Sequence, residues 1–421
     1  MNTASATDSN KDTKFLPNLP PKFEYRVDLR HYVTPRLLRQ QPIHNWFMFP
    51  HSFSPQLIDK IFEEYPLQSG GKLLDPFVGA GTAVLRAKQL GFSAMGSDLS
   101  PLSIFVSKAK IQDYNRAEID QSLEEILNSP FSSTIINTSI YPERTLKAFT
   151  MGEISKIEAL RQKIQILPDP LNSFFMLALL TVQQSLSRAV PDGGWFRWVD
   201  KPSQSRKVLS LFKAQTAKQR NDVREAQSPQ VGTWEIIRKD AREVNTLGGQ
   251  FDYLITSPPY PNRHDYSRIF HMELLSLGQT EKEIFQFRHS SIRSHVEARR
   301  PKADYKVSYQ SQKLETTLDA ITSDADPRIV PMLRGYFDDM YLCLSAAHMV
   351  LKPDAPVVFV VGNVRHGGVM VPVDEILAEI GEQAGYTFEC GWVARLRGNS
   401  AQQMASYGRE PSRETVVIFK R

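Results

Sequence analysis

The residues best placed to do chemistry are Ser257-Pro258-Pro259-Tyr260, which close the apolar run Phe251 to Thr256. A strand that stops at a polar residue, two prolines and an aromatic ends in a rigid turn poor in backbone donors, because proline fixes φ and has no N–H. Such a turn suits a planar amine. The chemistry it can serve is methylation of an exocyclic amino group on a nucleobase, where the nitrogen is a poor nucleophile because its lone pair is delocalised into the ring. The Ser257 side chain and the Pro258 carbonyl can accept the two amine protons, favouring a pyramidal nitrogen whose lone pair points at a methyl donor. Pro259 offers no competing N–H, and Tyr260 is expected to stack on the base.

A second constellation lies upstream, where Lys72 to Asp75 runs through Pro76, Phe77, Val78, Gly79, Ala80, Gly81 and Thr82 into the helix-like segment Ala83 to Leu90. A strand, a glycine turn and a helix start make a cofactor site, since glycine lets a ligand approach the backbone and the helix start offers free N–H groups. The second strand, Gly91 to Asp98, ends in an acid placed to accept hydrogen bonds from ribose hydroxyls.

Occurring together and in this order, Asp75 to Thr82, Gly96-Ser97-Asp98-Leu99-Ser100 and Thr256 to Tyr260 resemble the S-adenosylmethionine-dependent amino-methyltransferases of DNA. That family shares an FxGxG motif and a (D/N/S)PP(Y/F) motif. Serine at the first position of the latter is most similar to the cytosine-N(4) enzymes, aspartate being usual in the adenine-N(6) enzymes. The resemblance implies S-adenosylmethionine as cofactor, held by Asp75, Phe77, Gly79, Gly81, Thr82 and Asp98. It further implies Asp240, at the end of Ile236 to Asp240, near the adenine ring. The segment His44 to Pro50, with Trp46, resembles the one closing over the methionine end, and Ser257, Pro258, Pro259 and Tyr260 are its catalytic residues.

Chain organisation follows from these landmarks. Residues 1–23 are polar and proline-rich and are expected to be disordered. Residues 24–113 make the cofactor-binding part of a catalytic domain and 233–421 its catalytic part. Between them, 114–232 is far longer than one crossover requires; helix-like stretches near 118–127, 151–166 and 170–188 make it a helical insertion with a possible target-recognition role. Helical spacing from Gly335 to Val350, the strand Val357 to Val361, a helix near 373–384 and strand-like runs at Phe388 to Leu396 and Thr415 to Phe419 complete an α/β sheet. The resemblance implies a Rossmann-like methyltransferase fold, an open sheet of seven strands with the last but one position antiparallel. Ligand and base should meet at the carboxyl ends of its strands.

Composition agrees with an enzyme. The 421 residues are 41% hydrophobic, enough for a substantial core. Two cysteines, Cys343 and Cys390, make no disulfide framework, and the nine histidines show no metal-ligand spacing. No apolar run of membrane-spanning length and no secretory signal occurs, so a cytoplasmic protein is expected. No heptad pattern points to a dimer.

Net charge is +5, and the basic residues cluster. Lys201, Arg206, Lys207, Lys213, Lys218, Arg220 and Arg224 form one run; Arg288, Arg293, Arg299, Arg300, Lys302 and Lys306 form another. Such runs can neutralise DNA phosphates, although solvated surface faces look the same. Asp192 to Trp198 brings aromatics that can stack on an unpaired base or belong to a core. Arg263 can reach a phosphate and Tyr266 can wall the target pocket.

The expected reaction is direct methyl transfer without a covalent intermediate, since neither cysteine stands beside a proline in a catalytic loop. A duplex substrate must have its base flipped out, costing about a few kcal/mol. The partner is therefore double-stranded DNA, and a cognate restriction endonuclease would fit a role in restriction–modification or phage defence. An adenine-N(6) enzyme is the alternative, followed by an RNA guanine amino-methyltransferase and an inactive nucleic-acid-binding protein.

Overall fold

The computed structural model describes residues 18–129, 141–192, 195–223, 232–262, 264–299, 307–321, 325–398 and 401–421. Its strands in chain order are β1 (Phe23–Tyr25), β2 (Lys72–Asp75), β3 (Ser93–Asp98), β4 (Ala189–Asp192), β5 (Trp195–Trp198), β6 (Trp234–Arg238), β7 (Tyr253–Thr256), β8 (Pro356–Gly362), β9 (Val364–His366), β10 (Val369–Val371), β11 (Thr387–Arg397) and β12 (Ser412–Lys420). Eight of them build one sheet in the order β1-β11-β12-β8-β7-β2-β3-β6, while β4–β5 and β9–β10 are separate hairpins.

The sheet is parallel except at β12, which runs antiparallel to both β8 and β11. This is the expected Rossmann-like arrangement with one strand more than the seven expected: β1 adds in parallel to the edge of β11, pairing Phe23 with Gly391 and Tyr25 with Val393. Residues 1–17 of the segment expected to be disordered lie outside the described residues.

Side-chain alternation makes the two faces. Along β8, Val357, Phe359 and Val361 enter a core shared with the helices Ile329–His348 and Val373–Gln383. Val358 and Val360 face the opposite way, into a core with Leu57, Ile58, Ile61, Ala83, Val84 and Ala87 from the helices Pro55–Glu64 and Thr82–Gln89. A strand buried on both faces needs apolar residues at every position, which is why β8 reads as a continuous run of valines and a phenylalanine.

Between β3 and β6 the chain forms the helices Pro101–Ile111, Arg116–Asn128, Glu143–Ala148, Met151–Gln165, Leu171–Leu186 and Val208–Asp222. Leu171–Leu186 is apolar nearly all round, with Phe174, Phe175, Leu177, Ala178 and Leu180 fully buried. An α-helix hydrophobic on all sides must be the centre of its own core, and this one gathers Ile154, Leu160 and Phe212 from neighbouring helices together with Trp46, Phe47 and Phe49. No helix among the described residues is long and apolar enough to cross a membrane.

Candidate active site at the carboxyl ends of the strands

Parallel pairing places the ends of β2, β3, β6 and β7 side by side, and the polar residues at those ends meet in one cleft. Asp75, Phe77, Gly79, Thr82, Asp98, Asp240, Ser257 and Pro259 line a cavity of about 150 Å³.

The glycine turn has a local cause. Gly79 (φ 48°) and Gly81 (φ 81°) are left-handed, a conformation that strains a residue with a Cβ, and a Cβ on Gly81 would stand 3.0 Å from that of Ser107. The turn then opens the helix Thr82–Gln89 toward the cavity. Gly79 donates its N–H to Asp98 Oδ2 at 3.1 Å, and Ser100 donates to Asp98 Oδ1 at 2.8 Å. Burial pushes the Asp98 pKa up against these backbone donors. Lys110, 2% exposed, pins the same turn by donating to the carbonyls of His44, Phe47 and Ala80 at 3.0, 2.7 and 3.2 Å.

The two motifs touch directly. Thr256, last residue of β7, donates its hydroxyl to Asp75 Oδ1 at 2.6 Å, and the Phe77 N–H reaches the same oxygen at 3.1 Å. Burial raises the Asp75 pKa to about 7, and the neighbouring Asp98 acts in the same direction. Ser257 donates its single hydroxyl proton to the Val360 carbonyl at 3.1 Å, leaving the oxygen's lone pairs to accept.

Asp240 caps the short turn of helix Ala241–Thr246 and is held by Arg242, whose Nε and Nη2 lie 3.0 and 2.7 Å from its two oxygens. Buried Arg242 also donates to Asp339 at 3.1 Å and to the Ser290 carbonyl at 2.7 Å, and Asp339 in turn receives Arg293.

Four expected site residues, Gly81, Pro258, Trp46 and Tyr260, are not among those lining the cavity. Trp46 is fully buried: its Nε1–H donates to Asp222 Oδ2 at 2.9 Å and its ring meets Phe174 edge-on at 5.5 Å, so it joins the helical core. Its neighbours Phe49, His51, Ser52 and Phe53 line the cavity instead. Tyr260 is 8% exposed, with its hydroxyl donating to Glu414 at 3.2 Å and its ring 5.5 Å from the Arg397 guanidinium. Its hydroxyl meets Glu414 of β12, and Tyr260 is not among the residues lining the cavity. Tyr266, expected as a wall, lines the cavity and stacks on Phe270 at 6.4 Å with a 17° interplanar angle; Phe49 approaches Phe270 at 4.6 Å.

Sequence reasoning placed the loop Pro261–Tyr266, with Asp265, at the pocket's border, where Asp265 does line the cavity, but missed His51, Phe270 and His295. His51 Nε2 and His264 Nδ1 are 2.8 Å apart, and burial followed by the positive surroundings lowers the His51 pKa to about 4, keeping the pair neutral near pH 7. Their positions on two loops distant in sequence gave no spacing signal.

The basic runs divide. Arg206, Lys207, Lys213 and Lys218 are exposed, whereas Arg220 pairs with Asp120 at 2.6 Å. Arg288 and Arg293, expected to meet phosphates, are instead committed to Asp265 and Asp339 at 2.9 and 2.8 Å. Arg224, Arg263, Arg300, Lys302 and Lys306 lie outside the described residues.

Comparison with known proteins agrees with this geometry. Residues 55–230 match the family model of the D12 class N6 adenine-specific DNA methyltransferases. The chain is 29% identical to the type II methyltransferase M.BsoBI of Geobacillus stearothermophilus, over 93% of this chain and 88% of that one. It is 26% identical to the type II methyltransferase M.AvaI of Nostoc sp., over 97% and 94%, and 21% identical to M.MvaI of Kocuria varians, over 80% of each. In fold and motif order the chain is similar to DNA methyltransferases. Among such enzymes its similarity runs along nearly the whole length of two type II methyltransferases. The family match ends at residue 230, before Ser257, and so does not reach the turn at the proposed target amine.

Proposed function

We infer that the enzyme transfers a methyl group to the exocyclic N4 of cytosine within a specific DNA site. The observation that carries this reading is Ser257: at the end of β7, lining the cavity, it has its only proton engaged by Val360 and its oxygen left as an acceptor. An amine proton bonded to that oxygen, with the Pro258 carbonyl taking the second, draws the nitrogen lone pair out of conjugation. A neutral hydroxyl in place of a carboxylate suits cytosine in the family the chain resembles.

The cleft fits S-adenosylmethionine. Left-handed Gly79 and Gly81 leave room beside the helix start, and Asp98 stands at the end of β3 where ribose hydroxyls are bound in dinucleotide folds. Asp240 is suited to the adenine side and Asp75, with Phe77 and Thr82, to the methionine side. When bound, the cofactor supplies an electrophilic sulfonium methyl. Tyr266, Phe270 and Phe49 supply the ring faces that hold a flipped base. The exposed Arg206, Lys207, Lys213 and Lys218 of the helical insertion provide charge for the DNA backbone. A restriction endonuclease recognising the same site is the expected companion.

The D12 family match favours a second reading, methylation of adenine N6. Expression in a methylation-free bacterial host, followed by nucleoside digestion of its DNA and mass spectrometry, separates the two. N4-methylcytosine supports the first reading; N6-methyladenine replaces it with the second.

A further inference from the structure

A second cavity, of about 230 Å³, adjoins the first through the shared wall residue Phe270. Phe270 belongs to the walls of both, and the chain from Met48 to His51 passes between them, with Met48 and Pro50 on the second and Phe49 and His51 on the first. Nothing in the proposed methyl transfer uses this second space.

Its lining is built for a flat, polar-edged molecule. Phe149, Phe196 and Phe270 supply three phenyl rings. Gln183 is 8% exposed, and its Oε1 has no hydrogen-bond partner among the described residues. Glu273, also 8% exposed, receives Gln184 Nε2 at 2.9 Å on Oε1 and has a second oxygen. Burial raises the Glu273 pKa, as expected of a carboxylate short of donors. A buried acceptor left unpaired is costly, so this cavity asks for a ligand that brings N–H donors between apolar faces.

Among the four DNA bases only guanine carries two adjacent N–H groups, N1–H and N2–H, on its pairing edge. We propose that the cavity between Phe149, Phe196 and Phe270 is a second base-binding site, taking a guanine whose N–H edge meets Gln183 and Glu273. As a part of DNA recognition this rests on the DNA reading above; the same chemistry would also accept a free guanine nucleoside.

The test is binding, with no methyl transfer involved, on the full-length protein with S-adenosylhomocysteine saturating the first cavity. Guanosine and inosine, which differ only in the N2 amine, are titrated calorimetrically. In parallel, a duplex containing the mapped site is scanned by replacing each guanine with inosine. The expected result is at least about tenfold weaker binding of the inosine form, with the difference abolished in Gln183→Leu and in Ser276→Trp, which fills the cavity from its wall. A difference seen only in duplexes assigns the site to a DNA base, and one seen only with nucleosides assigns it to a free ligand.

Equal binding of both forms in both arms, or a difference that survives in both variants, overturns the proposal and leaves a water-filled cavity. The second variant guards against misfolding of the first. If no duplex binds at all, the DNA reading itself fails, while the nucleoside arm still decides the cavity.

Discussion

Thr256 and Asp75 meet through a 2.6 Å hydrogen bond between the ends of two adjacent parallel strands, joining the Ser257–Tyr260 turn to the glycine turn after β2. The threonine hydroxyl stabilises the ionised carboxylate against its own burial. Thr256→Val keeps the shape and removes the donor. It should cost about 1–2 kcal/mol of stability and move the Asp75 titration to higher pH, read by thermal unfolding and by the pH dependence of cofactor binding.

Asp75 should make cofactor affinity depend on pH. Its pKa is raised from the ordinary 3.8 to about 7, so below that value the group is neutral and attracts a cationic ligand less. Affinity for S-adenosylmethionine should therefore fall as pH drops through about 7, while Asp75→Asn binds weakly and with a flatter profile. In the absence of ligand the sign reverses. The folded state holds a proton that the unfolded state has released, so stability declines as pH rises from about 4 to about 7. Calorimetric titration and unfolding across that range test both slopes.

Ser257→Ala should reduce turnover about a hundredfold, the usual loss on removing one preorganised hydrogen-bonding group. Cofactor affinity should stay within about twofold of wild type, because a methyl group preserves the fold of the turn. Single-turnover methylation set beside cofactor binding separates the two effects, and an equal loss in both would show that Ser257 serves the cofactor.

Base capture should depend on Tyr266 rather than on Tyr260. Tyr266→Ala removes a cavity wall and should weaken binding of DNA with an abasic or mismatched target by about 1–3 kcal/mol. Tyr260→Phe removes the hydroxyl that meets Glu414 and Ser257, and since Tyr260 does not line the cavity it should leave that binding nearly unchanged. Fluorescence of 2-aminopurine at the target position reports the flipped state in each variant.

Arg242→Met tests the ion network beneath the cleft. It strips fully buried Asp339 of one of its two arginines and frees the Asp240 carboxylate. Breaking a buried pair from one side should cost about 3 kcal/mol, visible as a lower denaturant midpoint with unchanged m-value.

Much of this was legible in the sequence, for a physical reason. Where chemistry is set by strand ends, as at Asp75, Asp98, Asp240 and Ser257, a short apolar run followed by a turn residue announces the position, and parallel pairing brings these ends together. The short apolar runs Val357 to Val361 and Thr415 to Phe419 likewise read as buried strands, β8 and β12. Side-chain direction was not legible. Trp46 and Phe49 stand in one segment with the same aromatic character, and only tertiary packing decided that the tryptophan would enter the helical core and the phenylalanine the cleft. The same holds for Tyr260, drawn toward Glu414 by a partner more than a hundred residues away, and for Arg288 and Arg293, whose charges looked solvent-bound until Asp265 and Asp339 folded against them.

The antiparallel strand β12 also has a consequence for synthesis on the ribosome. It fills the gap between β8 and β11, and neither has another neighbour on that side. Until Ser412–Lys420 has emerged, the sheet is two separated pieces with unsatisfied edges, and Glu414 has not yet arrived to hold Tyr260. A nascent chain that has already emerged through β7 and its Ser257–Tyr260 turn therefore still lacks the strand that joins the two pieces of the sheet.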